Sequence, residues 1–367
     1  MTGDRKKHGG NLYEAMRCRG GSLADYYDFS ANINPMGLSP RVRIALQQSM
    51  EAVVCYPDPD ATSLKQAIAE CYQVHPDNIE TGNGAVELIY LLCRAVSPER
   101  VLIPAPTFSE YAAAAGAAGL PVETIVLRKE DGFAPDMELF IPKLRVRDLL
   151  FVCNPNNPTG TVLTCSQLEP LIAAASSVGA HVVVDESFID FRDPEAKESC
   201  RMLVGKYDSL SVLHSLTKFL AIPGLRLGFL LTSENLAKKT KSMRDPWNVN
   251  VMAQAAGVAG LADQEYRRQT LDMVGREKEY LFREFQKLPG FQPFPPSVNF
   301  MLSDIGSSGW DAGRLQAALW PHRIMVRNCE NFIGLSDSHI RVAVKSPAEN
   351  RLLVNRLKKM ICGEDEQ

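Results

Sequence analysis

Several features common in other protein classes are missing from this 367-residue chain. No apolar run approaches the ~18 residues that a bilayer-spanning helix needs. The nearest, Tyr111 to Val122, is alanine-rich but is broken by Gly116, Gly119 and Pro121. One-sided charge is missing too. Against 40 Lys and Arg stand 43 Asp and Glu, a formal net charge of −3, so there is no global basic field to draw nucleic acid or an acidic membrane surface. The nine cysteines fall singly, and the nearest two, Cys153 and Cys165, are twelve residues apart. That leaves no C-x-x-C metal or redox pair. The polar, basic stretch Met1 to Asn11 is not followed by the apolar segment of a secretion signal. No internal repeat or low-complexity segment is present. These absences predict a cytoplasmic protein with no metal, nucleic-acid or membrane partner, its cysteines serving as small core residues in a reducing compartment.

What is present is an alternation of two hydrophobic periods. Leu64, Ala67, Ile68, Cys71 and Tyr72 follow the i, i+3, i+4, i+7, i+8 spacing of an amphipathic helix, and Ala85 to Val96 is helical and apolar nearly all round, as a buried helix is. Short runs of strand length follow at 101–103, 122–126, 149–153, 181–184, 210–213 and 227–231, with helical patterns at 108–118 and 166–178 between them. Apolar runs without polar alternation predict strands covered on both faces, and the βαβ order predicts a mostly parallel sheet. From Ser233 the character changes to long charged helical patterns (Glu265 to Leu288), a Pro-rich turn at 293–296 and a shorter mixed stretch. The expected organisation is a large α/β domain over 51–245 and a smaller α/β domain over 246–367. Residues 1–50 are expected to join the smaller domain and to cover the active site.

Polar signals collect where these strands end, the position at which open parallel sheets bind ligands. The 149–153 run leads into Asn154-Pro155-Asn156-Asn157-Pro158-Thr159-Gly160. The 181–184 run leads into Asp185-Glu186, and the 210–213 run into His214-Ser215-Leu216-Thr217-Lys218, with Arg226 eight residues further on. Singly, each has an ordinary explanation: a strand-to-helix turn, a helix cap, a solvated lysine, a surface ion pair. In order, they form the set that pyridoxal phosphate chemistry requires. A lysine amine must condense with the aldehyde, a carboxylate must hold the ring nitrogen protonated, and hydroxyls, a cation and backbone N–H groups at a helix start must neutralise the phosphate.

On these motifs the chain resembles the aspartate aminotransferase superfamily of fold type I pyridoxal phosphate enzymes, from His8 to about Leu357. The resemblance implies that Lys218 bonds the cofactor and that Asp185 pairs with its ring nitrogen, making these the catalytic pair. It further implies that Asn157 bonds the 3′ oxygen, that Gly84 and Ala85 open the phosphate-cradling helix, and that Ser215 and Arg226 complete that cradle. Phe108 would stack on the ring, and Tyr56 would reach the phosphate of a neighbouring subunit, implying a homodimer. Histidinol-phosphate aminotransferases, related by motif, carry a tyrosine three residues after the aspartate; here that position is Phe188, which cannot donate a hydrogen bond.

Three further segments narrow the resemblance: His8-Gly9-Gly10-Asn11 with Asp28 to Gly37, Ile324 to Cys329, and Ile340 to Lys345. With the Ser215–Arg226 motif they are similar to the threonine-phosphate decarboxylases of adenosylcobalamin synthesis, whose substrate contacts would map onto His8, Gly9, Asn32, Asn157, Arg327 and Arg341. The implied substrate is a small phosphoamino acid, whose phosphate and carboxylate suit bidentate arginines. The competing expectations are a histidinol-phosphate aminotransferase and, more remotely, a non-catalytic sensor built on the same fold.

Overall fold

The chain was analysed as a computed structural model, which describes residues 9–192 and 198–363. After a helix at Leu12–Arg19 the chain forms a short strand, β1 (Tyr27–Asp28), and a helix at Pro40–Gln48 that starts at the Ser39 cap. The helix Thr62–Tyr72 leads to β2 (Ile79–Gly82), and the helix Ala85–Ala95 to β3 (Arg100–Ala105). Next come β4 (Val122–Val126), β5 (Asp148–Cys153), β6 (His181–Asp185), β7 (Leu210–Ser215) and β8 (Gly228–Leu231). These seven strands form one sheet in the order β2-β8-β7-β6-β5-β3-β4, in which only β8 runs antiparallel to its neighbours. β5, β6 and β7 are buried at every position, whereas the edge strand β4 is largely open. Unbroken apolar runs therefore mark the covered centre of the sheet, as expected from the sequence. A mostly parallel sheet flanked by helices is the architecture that the resemblance implies.

The rest of the chain adds β9 (Gln292–Pro293), β10 (Phe300–Asp304), β11 (Ile324–Met325), β12 (Arg327–Asn328) and β13 (His339–Ala343). β12-β13-β10-β9 make an antiparallel sheet, and β1 pairs in parallel with β11. A separate core gathers Phe29, Leu281, Phe285, Leu315, Ile340, Leu353 and their neighbours. Of residues 1–50, Phe29 and Tyr27 join this core, whereas Val42 lies in the large core with Met36, Leu38 and Leu46 packed against it.

The expected boundary at 245 shifts, however. The helix Val251–Leu261 packs on Pro40–Gln48 and Thr62–Tyr72, and its Ala253 and Ala256 lie in the large core together with Val42. Small residues on its inner face make this approach possible: a Cβ on Gly257 would come within 2.6 Å of Leu64 and 2.7 Å of Leu227. The change of core occurs inside the following helix, Gln264–Gln286. Tyr266 and Val274 lie in the large core, and Leu281 and Phe285 in the small one. We propose that the division falls near the middle of that helix. Composition changes earlier, at Ser233, because charge on an exposed helix face does not report which core its apolar face joins. The cysteine expectation also needs amending: all nine are free thiols, but Cys18, Cys55 and Cys362 are exposed.

The close helix contact gives a test. Gly257→Val overpacks the seam against Leu64 and Leu227, and should lower stability in urea unfolding by about 1–3 kcal/mol.

Candidate active site

β6 places Asp185 at its C-terminal end, 3% exposed. Its Oδ2 accepts a 2.6 Å hydrogen bond from the Tyr111 hydroxyl, and its Oδ1 a 2.9 Å bond from the Ser187 backbone N–H. Tyr111 is itself fully buried and held by parallel stacking on Phe151, centroids 4.8 Å apart. Burial pushes the Asp185 carboxyl above its ordinary range, opposed by these donors and by nearby His214. Among the described residues no Lys or Arg lies within ion-pair distance of it. A protonated ring nitrogen would supply the missing positive charge.

β7 runs into a single helical turn, Leu216–Phe219, that carries Lys218. Among the described residues the amine has no hydrogen bond or ion pair. Burial first, then the positive charges of Arg341 and Arg226, bring it down to about 8. An amine that loses its proton this readily is the nucleophile an aldehyde cofactor needs. The turn is anchored through its backbone: the Lys218 carbonyl accepts from Asn34 N–H at 3.0 Å.

A place for a phosphate lies beside it. The helix Ala85–Ala95 begins without a side-chain cap, so its first N–H groups remain available. Gly84, at φ +79°, precedes it, and a Cβ there would sit 2.4 Å from the Arg226 guanidinium. Only glycine allows both the left-handed backbone and this approach. Arg226 bonds the Pro223 carbonyl (3.3 Å) and has no carboxylate partner among the described residues. The hydroxyls of Ser215 and Thr217, 2.7 Å apart, lie at the start of the Lys218 turn.

A second cationic group comes from the small sheet. Arg341 on β13 is 6% exposed and donates to the Asn157 side-chain oxygen and, at 2.8 Å, to the Ser30 carbonyl; its Nε has no partner. Burial and the charge of Arg327 pull it down to about 10. Arg327, 8% exposed, donates to Asn331 Oδ1 at 2.7 Å and lies over the Phe332 ring. Neither arginine has a carboxylate partner among the described residues. Buried cations without counter-ions are costly, and incoming anions would relieve that cost. Asn32, also buried, leaves its Oδ1 unpaired.

The structure therefore brings together Asp185, Lys218, Gly84, Ala85, Ser215, Arg226, Asn157, Arg341, Arg327 and Asn32. Gly9 packs on Ser30, whose carbonyl a Cβ would meet at 2.2 Å. Phe108 is half-buried, edge-on to Tyr111 at 5.7 Å. Phe188 packs edge-on against Phe300 at 5.0 Å, and the Phe300 ring in turn lies under the Arg341 guanidinium. Tyr56 stands apart, 78% exposed and stacked on Trp247 at 4.3 Å. His8 lies outside the described residues.

Sequence reasoning missed two residues. Tyr111 had a signal in its place three positions after Phe108, although Phe108 precedes the helix Glu110–Ala117 that carries Tyr111. Asn331, which orients Arg327, had none.

A sequence model of the aminotransferase class I and II family matches residues 24–357. The chain belongs to this family. It is 35% identical to the threonine-phosphate decarboxylase of Salmonella typhimurium, over 97% of each chain. The histidinol-phosphate aminotransferase from Clostridium acetobutylicum superposes with a TM-score of 0.86 at 30% identity, over 92% of this chain and all of that one. That of Sinorhizobium meliloti, solved in complex with pyridoxal-5′-phosphate, shares the fold: TM-score 0.83 at 21% identity, covering 98% and 96% of the two chains. As in the rest of the class I and II family, the cofactor is pyridoxal 5′-phosphate, and the groups just described fit its aldehyde, ring nitrogen and phosphate.

Two measurements probe this geometry. Tyr111→Phe keeps the stack on Phe151 but strips a donor from the buried carboxylate, and should cost about 1–3 kcal/mol in thermal or urea unfolding. In the cofactor-free protein Lys218 should be the first lysine acylated by acetic anhydride as the pH rises through about 8, read by peptide mass spectrometry. The sign for stability follows. The folded protein releases this proton more readily than the unfolded chain, so the unfavourable contribution is complete below pH 8 and fades as pH rises toward 10.5.

Proposed function

We propose that this enzyme decarboxylates O-phospho-L-threonine to (R)-1-amino-2-propanol O-phosphate and CO₂, a step of adenosylcobalamin biosynthesis. The observation that carries the reading is the pair of buried arginines, Arg341 and Arg327, without carboxylate partners. A substrate bearing both a carboxylate and a phosphate fills both positions. The 35% identity to a threonine-phosphate decarboxylase along 97% of both chains supports it, as does a phenylalanine at 188.

When bound, the cofactor supplies an aldehyde for the substrate amine and a ring that accepts the electron pair left when CO₂ departs. In this reading the chain's residues do the rest. Asp185, set by Tyr111 and Ser187, keeps the ring nitrogen protonated. Gly84, Ala85, Ser215 and Arg226 hold the cofactor phosphate, while Phe108 and Asn157 fix the ring. Arg341 and Arg327, with Asn32, Gly9 and His8, would hold the two anions of the substrate and so fix which bond at Cα is presented for cleavage. Lys218, with its low affinity for protons, would hold the cofactor's aldehyde carbon in the resting protein and return a proton to Cα. Orientation selects the bond that breaks, so an aminotransferase and a decarboxylase can share every one of these groups. Tyr56 is exposed because, in a homodimer, it faces the neighbouring subunit's cofactor.

The competing reading, amino transfer from histidinol phosphate to 2-oxoglutarate, rests on the likeness to histidinol-phosphate aminotransferases. Incubation with O-phosphothreonine and no 2-oxoacid should release CO₂ and the aminopropanol phosphate. Consumption of histidinol phosphate with 2-oxoglutarate, in the absence of CO₂ release, would sink the decarboxylase reading. Arg327→Ala should raise KM for the phosphoamino acid at least tenfold, about the 1.5–3 kcal/mol of a charge-assisted hydrogen bond, while leaving cofactor binding intact.

A further inference from the structure

Two of the groups given to the substrate, Gly9 and Arg341, stand near opposite ends of the chain, yet both come up against one atom, the carbonyl oxygen of Ser30. Arg341 Nη2 donates to it at 2.8 Å, and a Cβ on Gly9 would stand 2.2 Å from it. Only glycine can pack so closely on that carbonyl. The Ser30 side chain takes the next position: the Gly10 N–H donates to its Oγ at 2.8 Å. Among the described residues this is the one hydrogen bond between residues 9–10 and the rest of the protein.

Ser30 is itself firmly held. It is 4% exposed, and it follows Phe29, whose N–H donates to the Met325 carbonyl and whose carbonyl accepts from the Ala343 N–H, both at 2.8 Å. The Ser30 N–H and hydroxyl both donate to Asp28 Oδ1, at 2.8 and 2.5 Å. With its proton committed to Asp28, the hydroxyl oxygen has its lone pairs free to accept from Gly10. The carbonyl is taken by Arg341, whose Nη1 bonds the Asn157 side chain. One buried residue thus sets the spacing between the Gly9–Gly10 backbone and the guanidinium.

We propose that Ser30 is a positioning residue for the substrate: its hydroxyl holds the Gly9–Gly10 backbone, and its carbonyl holds Arg341, at the spacing in which both meet the substrate. This rests on the reading that Gly9 and Arg341 touch the substrate. Groups fixed at their working spacing have little freedom left to lose when a ligand arrives. Among the described residues Ser30 has no hydrogen bond to Lys218 or Asp185. Its contribution therefore falls on binding rather than on the chemical step, so KM depends on it and kcat does not.

The test is steady-state kinetics on the intact chain loaded with pyridoxal phosphate, following CO₂ release from O-phosphothreonine. Ser30→Ala removes the hydroxyl and leaves the carbonyl to Arg341. It should raise KM about two- to tenfold, the worth of one neutral hydrogen bond, with kcat little changed. Gly9→Ala intrudes on the same carbonyl and should raise KM too. In the double variant the two effects should fall short of additive, because both act through one alignment. An unchanged KM in Ser30→Ala overturns the proposal, even if that variant loses stability, and so does full additivity. Should Ser30→Ala fail to fold, Gly9→Ala at its half-buried position gives the readout alone, and an unchanged KM there is equally fatal. Arg341→Lys separates the two layers. If it leaves KM unchanged, the reading that Arg341 touches the substrate is wrong. If it raises KM while Ser30→Ala does not, only the role given to Ser30 is wrong. Should the enzyme turn over histidinol phosphate with 2-oxoglutarate instead, the decarboxylase reading alone fails, and the same KM comparison on that substrate decides the role of Ser30.

Discussion

Positive charge held out of water without carboxylates to balance it is the constraint around which this molecule is arranged. Arg341 and Arg226 lie close enough to Lys218, and Arg327 to Arg341, to press on one another's charge, and Arg327 and Arg341 are bonded to amide and carbonyl oxygens rather than carboxylates. Such an arrangement costs folding free energy in the empty protein. It is tolerated because the rest of the chain is ordinary: a covered sheet, a large core on each of its faces and a further core at the C-terminal end. Anions return what the cleft lacks. By mass action, a ligand at a hundred times its dissociation constant adds about 2.7 kcal/mol to stability, so cofactor and substrate act as structural components as well as reactants.

The same constraint accounts for the route of the N-terminal segment. Residues 28–34 run between the two sheets, and nearly every polar atom they expose is used. Phe29 bonds backbone to backbone with Met325 and Ala343, Ser30 receives Arg341, Asn32 receives Asn299, and Asn34 ties together Lys218, Phe219 and Thr270. This explains the density of Ser and Asn in a stretch without regular structure: these side chains and carbonyls satisfy neighbours that the sheets cannot.

Much of this was legible in the sequence. β5 and β6 could be read as apolar runs and β7 as one broken only by Ser211, and the Asn, Asp and Lys at their ends could be read together as chemistry. Gly84 was legible as a helix opening, although its contact with Arg226, which comes from another strand connection, was not. Tyr111 escaped because its hydroxyl meets Asp185 across 74 positions of chain; the local pattern showed only an apolar helix. The domain boundary escaped for a related reason. The charge that begins after Ser233 lies on exposed faces, whereas membership of a core is decided by Ala253, Ala256 and Gly257 on the hidden one.

The 23-residue helix Gln264–Gln286 belongs to both cores at once, and this has a mechanical consequence. It acts as a shared axle. Any turning of one core against the other must be taken up along this rod, and the contact of Arg341 on β13 with Asn157 beyond β5 lies across the gap that such turning would widen. With the Lys129–Asp304 ion pair and the Ser297 hydroxyl on the Gly160 carbonyl, that bond is one of several clasps between the two halves.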